Sequence, residues 1–153
     1  MLEIVRLADR PDLIPVCARW NHDEWGHSAG ISEQQIDRAF HNIARSDDGQ
    51  TARVALWDHV PVGLSLLIHN DLETHAHLKP WLASLFVVPA FRGKGIGKGL
   101  VAAIEDAAAE LGYGQVYLYT RTPVFYQQLG WSTFEELAGD HADMSILRKP
   151  LTR

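Results

Sequence analysis

Residues 92–99 read RGKGIGKG, so Arg92, Lys94 and Lys98 share eight positions with four glycines. Three cations on bare backbone suit the binding of an anion. Glycine has no Cβ to keep a ligand away from the main-chain N–H groups. The stretch that follows carries Ile96, Leu100, Ile104, Ala107, Ala108 and Leu111 at helical spacing, which makes the loop a helix N-terminus. Such an end presents unpaired donors and partial positive charge. Arg92, Lys94 and Lys98 are electrostatically unfavourable there until an anion such as phosphate arrives. The loop is not a P-loop, because Gly97-Lys98 is followed by Gly99 and not by Ser or Thr. It also fails the GxGxxG spacing of dinucleotide sites.

The elements that position this loop follow from pattern. Residues 2–7 read as a strand. Asp9-Arg10-Pro11 opens a helix expected to run through about Trp25, and residues 26–30 break it. Ser32-Glu33 starts a second helix, with Ile36, Ala39, Phe40 and Ile43 in register, ended by a turn at Ser46-Asp47-Asp48-Gly49. Residues 52–58 and 62–70 form a hairpin around His59 to Pro61, and 71–80 a polar loop. WLASLFVV (81–88) is the most apolar strand, so it is expected at the centre of the sheet. After the glycine loop and its helix come a strand at 115–120 and a short helix at Pro123 to Leu129. Strands at Trp131 to Glu136 and Asp143 to Leu147 close the chain. No repeat or linker divides it, so one mixed α/β domain is expected over 1–153.

Composition narrows the classes. At 46% hydrophobic the chain has enough apolar residues for a core. A formal charge of −5 disfavours a nucleic-acid partner, which would select a broad basic face. One basic cluster in an acidic chain points to a small anionic ligand. Cys17 is the single cysteine, so no intrachain disulfide forms. No run approaches the roughly 18 apolar residues of a membrane span. The first residues lack the basic start and apolar run of a secretory signal. A cytoplasmic protein is expected.

Residues 81–100, WLASLFVVPAFRGKGIGKGL, resemble the acyl-CoA-binding motif of the GNAT N-acetyltransferase superfamily. That pattern is Arg or Gln, two residues, Gly, one residue, then Gly or Ala, read here as Arg92-Gly93-Lys94-Gly95-Ile96-Gly97. A second stretch, PVFYQQLGW (123–131), resembles the family's short helix with a Tyr followed by Gly and an aromatic. The resemblance implies a mixed sheet of about six or seven strands with about four helices, splayed at the cofactor site. It implies acetyl-CoA as cosubstrate. Phe86, Val87 and Val88 would hold the pantetheine and the acetyl carbonyl. Arg92, Gly93, Lys94, Gly95, Ile96 and Gly97, with Lys98, would hold the phosphates. A homodimer is common among proteins that look like this.

The implied reaction, an amine attacking a thioester, sets three demands. The amine must be neutral, although an alkyl ammonium has a pKa of roughly 10. The oxyanion needs donors, expected from strand amides near Val87 and Val88. The departing thiolate gains from a proton, for which Tyr126 is the candidate. Many family members carry a Glu on the strand before the loop, but WLASLFVV has no acid. Asp71 is the candidate base, with Glu73, His69, His75 and His77, a base acting through water, or no dedicated base as alternatives. His75-Ala76-His77 lacks further ligands at fixed spacing, so no metal is expected. Glu24, Trp25, His27 and Glu73 are candidates for touching the acceptor. Asp23, Glu24, Asp71 and Glu73 suggest that the acceptor is a cationic amine of a small molecule, peptide or protein. A non-catalytic acyl-CoA sensor of the same fold is the alternative.

Overall fold

The computed structural model describes residues 1–45 and 48–151. Among the described residues seven strands make one mixed sheet in the order β1-β2-β3-β4-β5-β7-β6. These are β1 (Leu2–Arg6), β2 (Thr51–Trp57), β3 (Val60–Ile68), β4 (Trp81–Val87), β5 (Gln115–Thr120), β6 (Ser132–Glu136) and β7 (Ser145–Pro150). Four α-helices accompany them: α1 (Ile14–Asn21), α2 (Glu33–Ala44), α3 (Ile96–Glu110) and α4 (Pro123–Gln127). WLASLFV is the middle strand, as its continuous apolar run requires.

The first helix departs from its pattern. Two 3-10 turns, Leu7–Asp9 and Pro11–Leu13, precede a short α1, and residues His22–Gly26 form a π-helical turn. In that turn the His27 N–H reaches back five residues to the His22 carbonyl at 2.8 Å. Single π-turns inside helices cluster at functional sites, and this one carries Glu24 and Trp25. The second helix begins where expected. Ser32 Oγ accepts from the Gln35 N–H while Gln35 Oε1 accepts from the Ser32 N–H, a reciprocal capping box. Of the turn expected after it, Ser46 and Asp47 lie outside the described residues. The β2–β3 turn is centred on Asp58-His59 and not on His59 to Pro61. Both residues have positive φ, 49° and 71°, as a two-residue hairpin turn demands. The last strand starts at Ser145 and runs to Pro150, later than expected.

α1 and α2 cover one face of the sheet through Ile14, Cys17, Ala18, Ile36 and Phe40, packed with Val54, Leu64 and Phe86. α3 covers the other with Val101, Ile104 and Ala108 against Leu82, Val116, Leu118 and Leu147. Leu111 lies past the end of α3 and is exposed, so the apolar stripe stops at Ala108. Close approach of backbone fixes Gly63, where a Cβ would stand 2.7 Å from the Phe86 carbonyl oxygen.

The sheet is not uniform across its middle. β4 and β5 are its parallel pair, and one register pair joins them, Trp81 with Tyr117. β4 also breaks register with β3. Trp81, Leu82 and Ala83 pair with Ile68, Leu67 and Leu66, whereas Phe86 and Val87 pair with Leu64 and Gly63. Ser84 and Leu85 therefore face Ser65 alone, two residues against one, which is a β-bulge. Ser84 has φ of 53°.

Candidate active site

Two cavities open where β4 and β5 part, and Leu85 lines both. The first, about 360 Å³, is walled by Leu85, Phe86 and Val87 of β4, by Phe91, and by the glycine loop. Its loop residues are Arg92, Gly93, Gly95, Ile96, Gly97 and Lys98, with Phe125 of α4 and Glu24 at the margin. Gly93 and Gly95 hold φ of 79° and 82°, and a Cβ on either would meet nothing within 4 Å. The loop is thus a bare main-chain surface facing open space. Gly95 stands at the N-cap of α3 with no side chain capping it, so the first amides of α3 point into the same space. Arg92 is anchored: its Nε donates to the Val87 carbonyl at 2.8 Å and its guanidinium lies 5.9 Å from the Phe86 ring centroid. The donor set fits a pyrophosphate and the apolar β4 wall fits a thioester arm.

Two residues of the expected set fall outside this lining. The Val88 N–H donates to the Val62 carbonyl at 2.8 Å, so it is occupied in the sheet and is not an oxyanion donor. Lys94 turns away to place its ammonium 5.8 Å over the Trp57 ring. The bulge lies at Ser84-Leu85, two to three residues earlier than the Val87-Val88 region. Leu85, beside the bulge, is the β4 residue that stands at the seam of the two cavities. A bulge position is a matter of strand pairing, which the apolar run of β4 does not encode.

The second cavity, about 590 Å³, is lined by Asn21 and Trp25, by Ser84 and Leu85, by Tyr119, Thr120, Arg121 and Thr122 of β5 and its turn, and by Asp71, Tyr126 and Met144. It brings together both residues expected to move protons. Tyr126 is buried, and no hydrogen bond engages its hydroxyl among the described residues. Since no fully enclosed polar side-chain atom there lacks a partner, the hydroxyl opens to the cleft. Burial pushes its pKa up to about 12, so it is a neutral donor. Its ring is wedged edge-on between Phe125 and Trp131. Glu105 of α3 fixes that corner, accepting from Trp131 Nε1 at 3.1 Å and from Lys149 Nζ at 2.8 Å. Burial also raises the Asp71 carboxyl to about 7.

The remaining expectations divide. Trp25 lines the acceptor-side cavity and is 42% exposed, while Trp20 packs on Phe86 with ring centroids 5.5 Å apart. Glu24 faces the cofactor-side cavity. His27 lines neither cavity and stacks edge-on against His22. Glu73 lies in a third cavity of about 690 Å³, with His75, Glu135, Asp140 and His141, which meets the second at Asp71 and Tyr119. His75 Nε2 is bound to Glu135 at 3.0 Å and His69 Nε2 to the Asp48 carbonyl at 2.7 Å. Neither imidazole lines the second cavity. Among the described residues no group of three or more His, Cys, Asp or Glu is placed to hold a metal. No helix in them is long and apolar enough to cross a membrane. Cys17 is fully buried and its thiol is pushed up to about 12, which excludes it from the chemistry.

The model of the acetyltransferase (GNAT) family matches residues 14–131. That span runs from α1 through the glycine loop to Trp131 and takes in most of the chain. The chain belongs to the GNAT family. Acetyl-CoA is accordingly its cosubstrate, and acetyl transfer its general activity. GNAT structures share its whole architecture. An aminoglycoside 6'-N-acetyltransferase complexed with coenzyme A is similar at a TM-score of 0.76 and 17% identity, over 99% of this chain and 98% of that one. Aminoglycoside 6'-acetyltransferase type Ii gives 0.74 and 19%, over 99% and 98%. The PaiA N-acetyltransferase from Thermoplasma acidophilum, in complex with coenzyme A, gives 0.67 and 20%, over 98% and 99%. At these identities the likeness is one of fold.

Proposed function

We propose that the protein transfers acetyl from acetyl-CoA directly to the amine of a cationic small molecule, peptide or protein. The observation that carries this reading is Leu85, shared by two cavities of opposite character. One has a bare glycine-rich main-chain surface with Arg92 and Lys98, and the other the Tyr126 phenol and the Asp71 carboxyl raised to about 7.

Acetyl-CoA supplies an activated acyl thioester. The loop amides from Arg92 to Gly97, with Lys98, hold its phosphates at the α3 N-terminus. Phe86 and Val87 flank the pantetheine arm. The Leu85 N–H polarises the carbonyl, and a preorganised main-chain donor of this kind is worth roughly 10²–10³ in rate. Asp71, titrating near 7, takes the proton that the acceptor ammonium must lose. As the C–S bond breaks, the Tyr126 hydroxyl donates to the departing sulfur and recovers the second proton that the attacking nitrogen sheds in becoming an amide.

Charge supports the acceptor class. Asp71 stands where the second and third cavities meet, Glu73, Glu135 and Asp140 line the third with no Lys or Arg among the described residues of its walls, and Arg121 of the second is paired with Asp143 at 2.6 Å. Purified protein with acetyl-CoA and a panel of amines tests this by release of the CoA thiol. Spermidine, a multiply charged aminoglycoside, a lysine peptide, glycine and glutamate span the classes. The reading expects turnover with the first three. Glycine or glutamate as the best acceptor would overturn the cationic assignment. Tight acetyl-CoA binding with no turnover on any amine would establish the sensor alternative.

A further inference from the structure

Asn21 is the last residue of α1, and its Nδ2 donates to Ser84 Oγ at 2.8 Å, a contact between residues 63 apart in sequence. Ser84 is the bulge residue with φ of 53°, a left-handed conformation that side-chain-bearing residues rarely adopt. Such a conformation persists when the surroundings over-determine it. Both strands of the bulge are tied from outside the ladder. On β3, Ser65 is buried and its hydroxyl donates to the Leu100 carbonyl of α3 at 3.2 Å. On β4 the tie is Asn21. Both Asn21 and Ser84 line the acceptor-side cavity.

We propose that Asn21 is a positioning residue that locks the Ser84 bulge through the Ser84 hydroxyl and so aims the Leu85 N–H at the seam of the two cavities. The proposal rests on the acyl-transfer reading for its catalytic consequence, but the clamp itself is a property of the apo protein. Without the amide, Ser84 is free to relax toward extended backbone, which would move Leu85 along β4. Asn21 also adjoins the π-turn that carries Glu24 and Trp25. The Asn21–Ser84 bond therefore adds a polar tie between the acceptor-side helix and β4, beside the Trp20–Phe86 ring contact.

Amide hydrogen exchange on ¹⁵N-labelled protein, without any ligand, reads the clamp directly. Asn21→Ala is expected to speed exchange at the β4–β3 ladder amides on either side of the bulge, within residues 82–83 and 86–87, while amides of β2 stay at the wild-type rate. Ser84→Ala, which removes the hydroxyl alone, is expected to do the same, and the double variant no more than either. Ser84→Gly supplies a residue that adopts positive φ unaided, so Asn21→Ala in that background is expected to change nothing further. Where an acceptor turns over, Asn21→Ala is expected to lower kcat about tenfold with the KM for acetyl-CoA within about twofold, a barrier change confined to the chemical step. Wild-type exchange at those flanking ladder amides in Asn21→Ala would overturn the clamp, as would an equal effect in the Ser84→Gly background. Faster exchange with unchanged kcat would overturn its catalytic consequence. Failure of wild-type protein to bind acetyl-CoA would refute the acyl-transfer reading while leaving the exchange result to decide the clamp.

Discussion

Trp81 of β4 and Tyr117 of β5 form the one register pair between those strands among the described residues. Both side chains are buried, their ring centroids 5.8 Å apart, and the Trp81 indole N–H donates to the Leu78 carbonyl at 2.8 Å. The pair is the pivot from which the strands part and the two cavities open. Trp81→Ala is expected to destabilise the fold by about 3–5 kcal/mol, the range for a buried aromatic. Exposed Trp25, by contrast, lines the cleft without supporting it. Trp25→Ala is expected to leave the urea midpoint nearly unchanged and to raise KM for the amine. Denaturation curves and acceptor titrations of the two variants test the contrast.

Tyr126 is a neutral phenol at any working pH, because burial holds its pKa near 12. Tyr126→Phe keeps the ring between Phe125 and Trp131 and removes the proton. Its kcat should fall by about 10²–10⁴, the scale of general-acid catalysis, with acetyl-CoA affinity within a few-fold of wild type. Steady-state kinetics and calorimetry on one preparation decide this. Undiminished turnover would remove Tyr126 from the mechanism.

Asp71 links activity to stability. Its folded pKa of about 7 exceeds the unfolded value of roughly 4. Below pH 4 both states hold the proton and the group contributes nothing. Between the two values only the folded state holds it, so stability falls as pH rises, and the penalty is complete above 7. Asp71→Asn should therefore stabilise the protein at pH 8 by about 1–4 kcal/mol and by nothing near pH 3. It should also lose the rise of kcat/KM with pH through about 7. Thermal melts across pH and a pH–rate profile check both.

Much of this was legible in the chain itself. The glycine loop, the central apolar strand and the α3 stripe as far as Ala108 follow from local periodicity and turn residues, while Tyr126 was marked by the resemblance of residues 123–131 to the family's motif. What the sequence did not carry was pairing. The bulge at Ser84-Leu85 depends on β3 register, and the occupation of the Val88 amide by Val62 depends on a strand 26 positions earlier. The π-turn at His22–Gly26 keeps a helical composition and escapes any 3.6-residue pattern. Asp71 was identified by order in the chain, but its burial near Tyr119 was not, because the loop's polar composition hid that the loop packs inward at Leu72 and Leu78.

The central claim is that the loop from Arg92 to Lys98 holds acetyl-CoA against β4. Calorimetric titration of the purified protein with acetyl-CoA, with CoA and ATP alongside, tests it most directly. The same titration of Gly95→Val forces a β-branched residue into a φ of 82° at the α3 N-cap. The account predicts saturable one-to-one binding of acetyl-CoA, weaker binding of ATP, and at least about a tenfold loss of affinity in Gly95→Val. No binding of acetyl-CoA, or equal affinity for ATP, would contradict it.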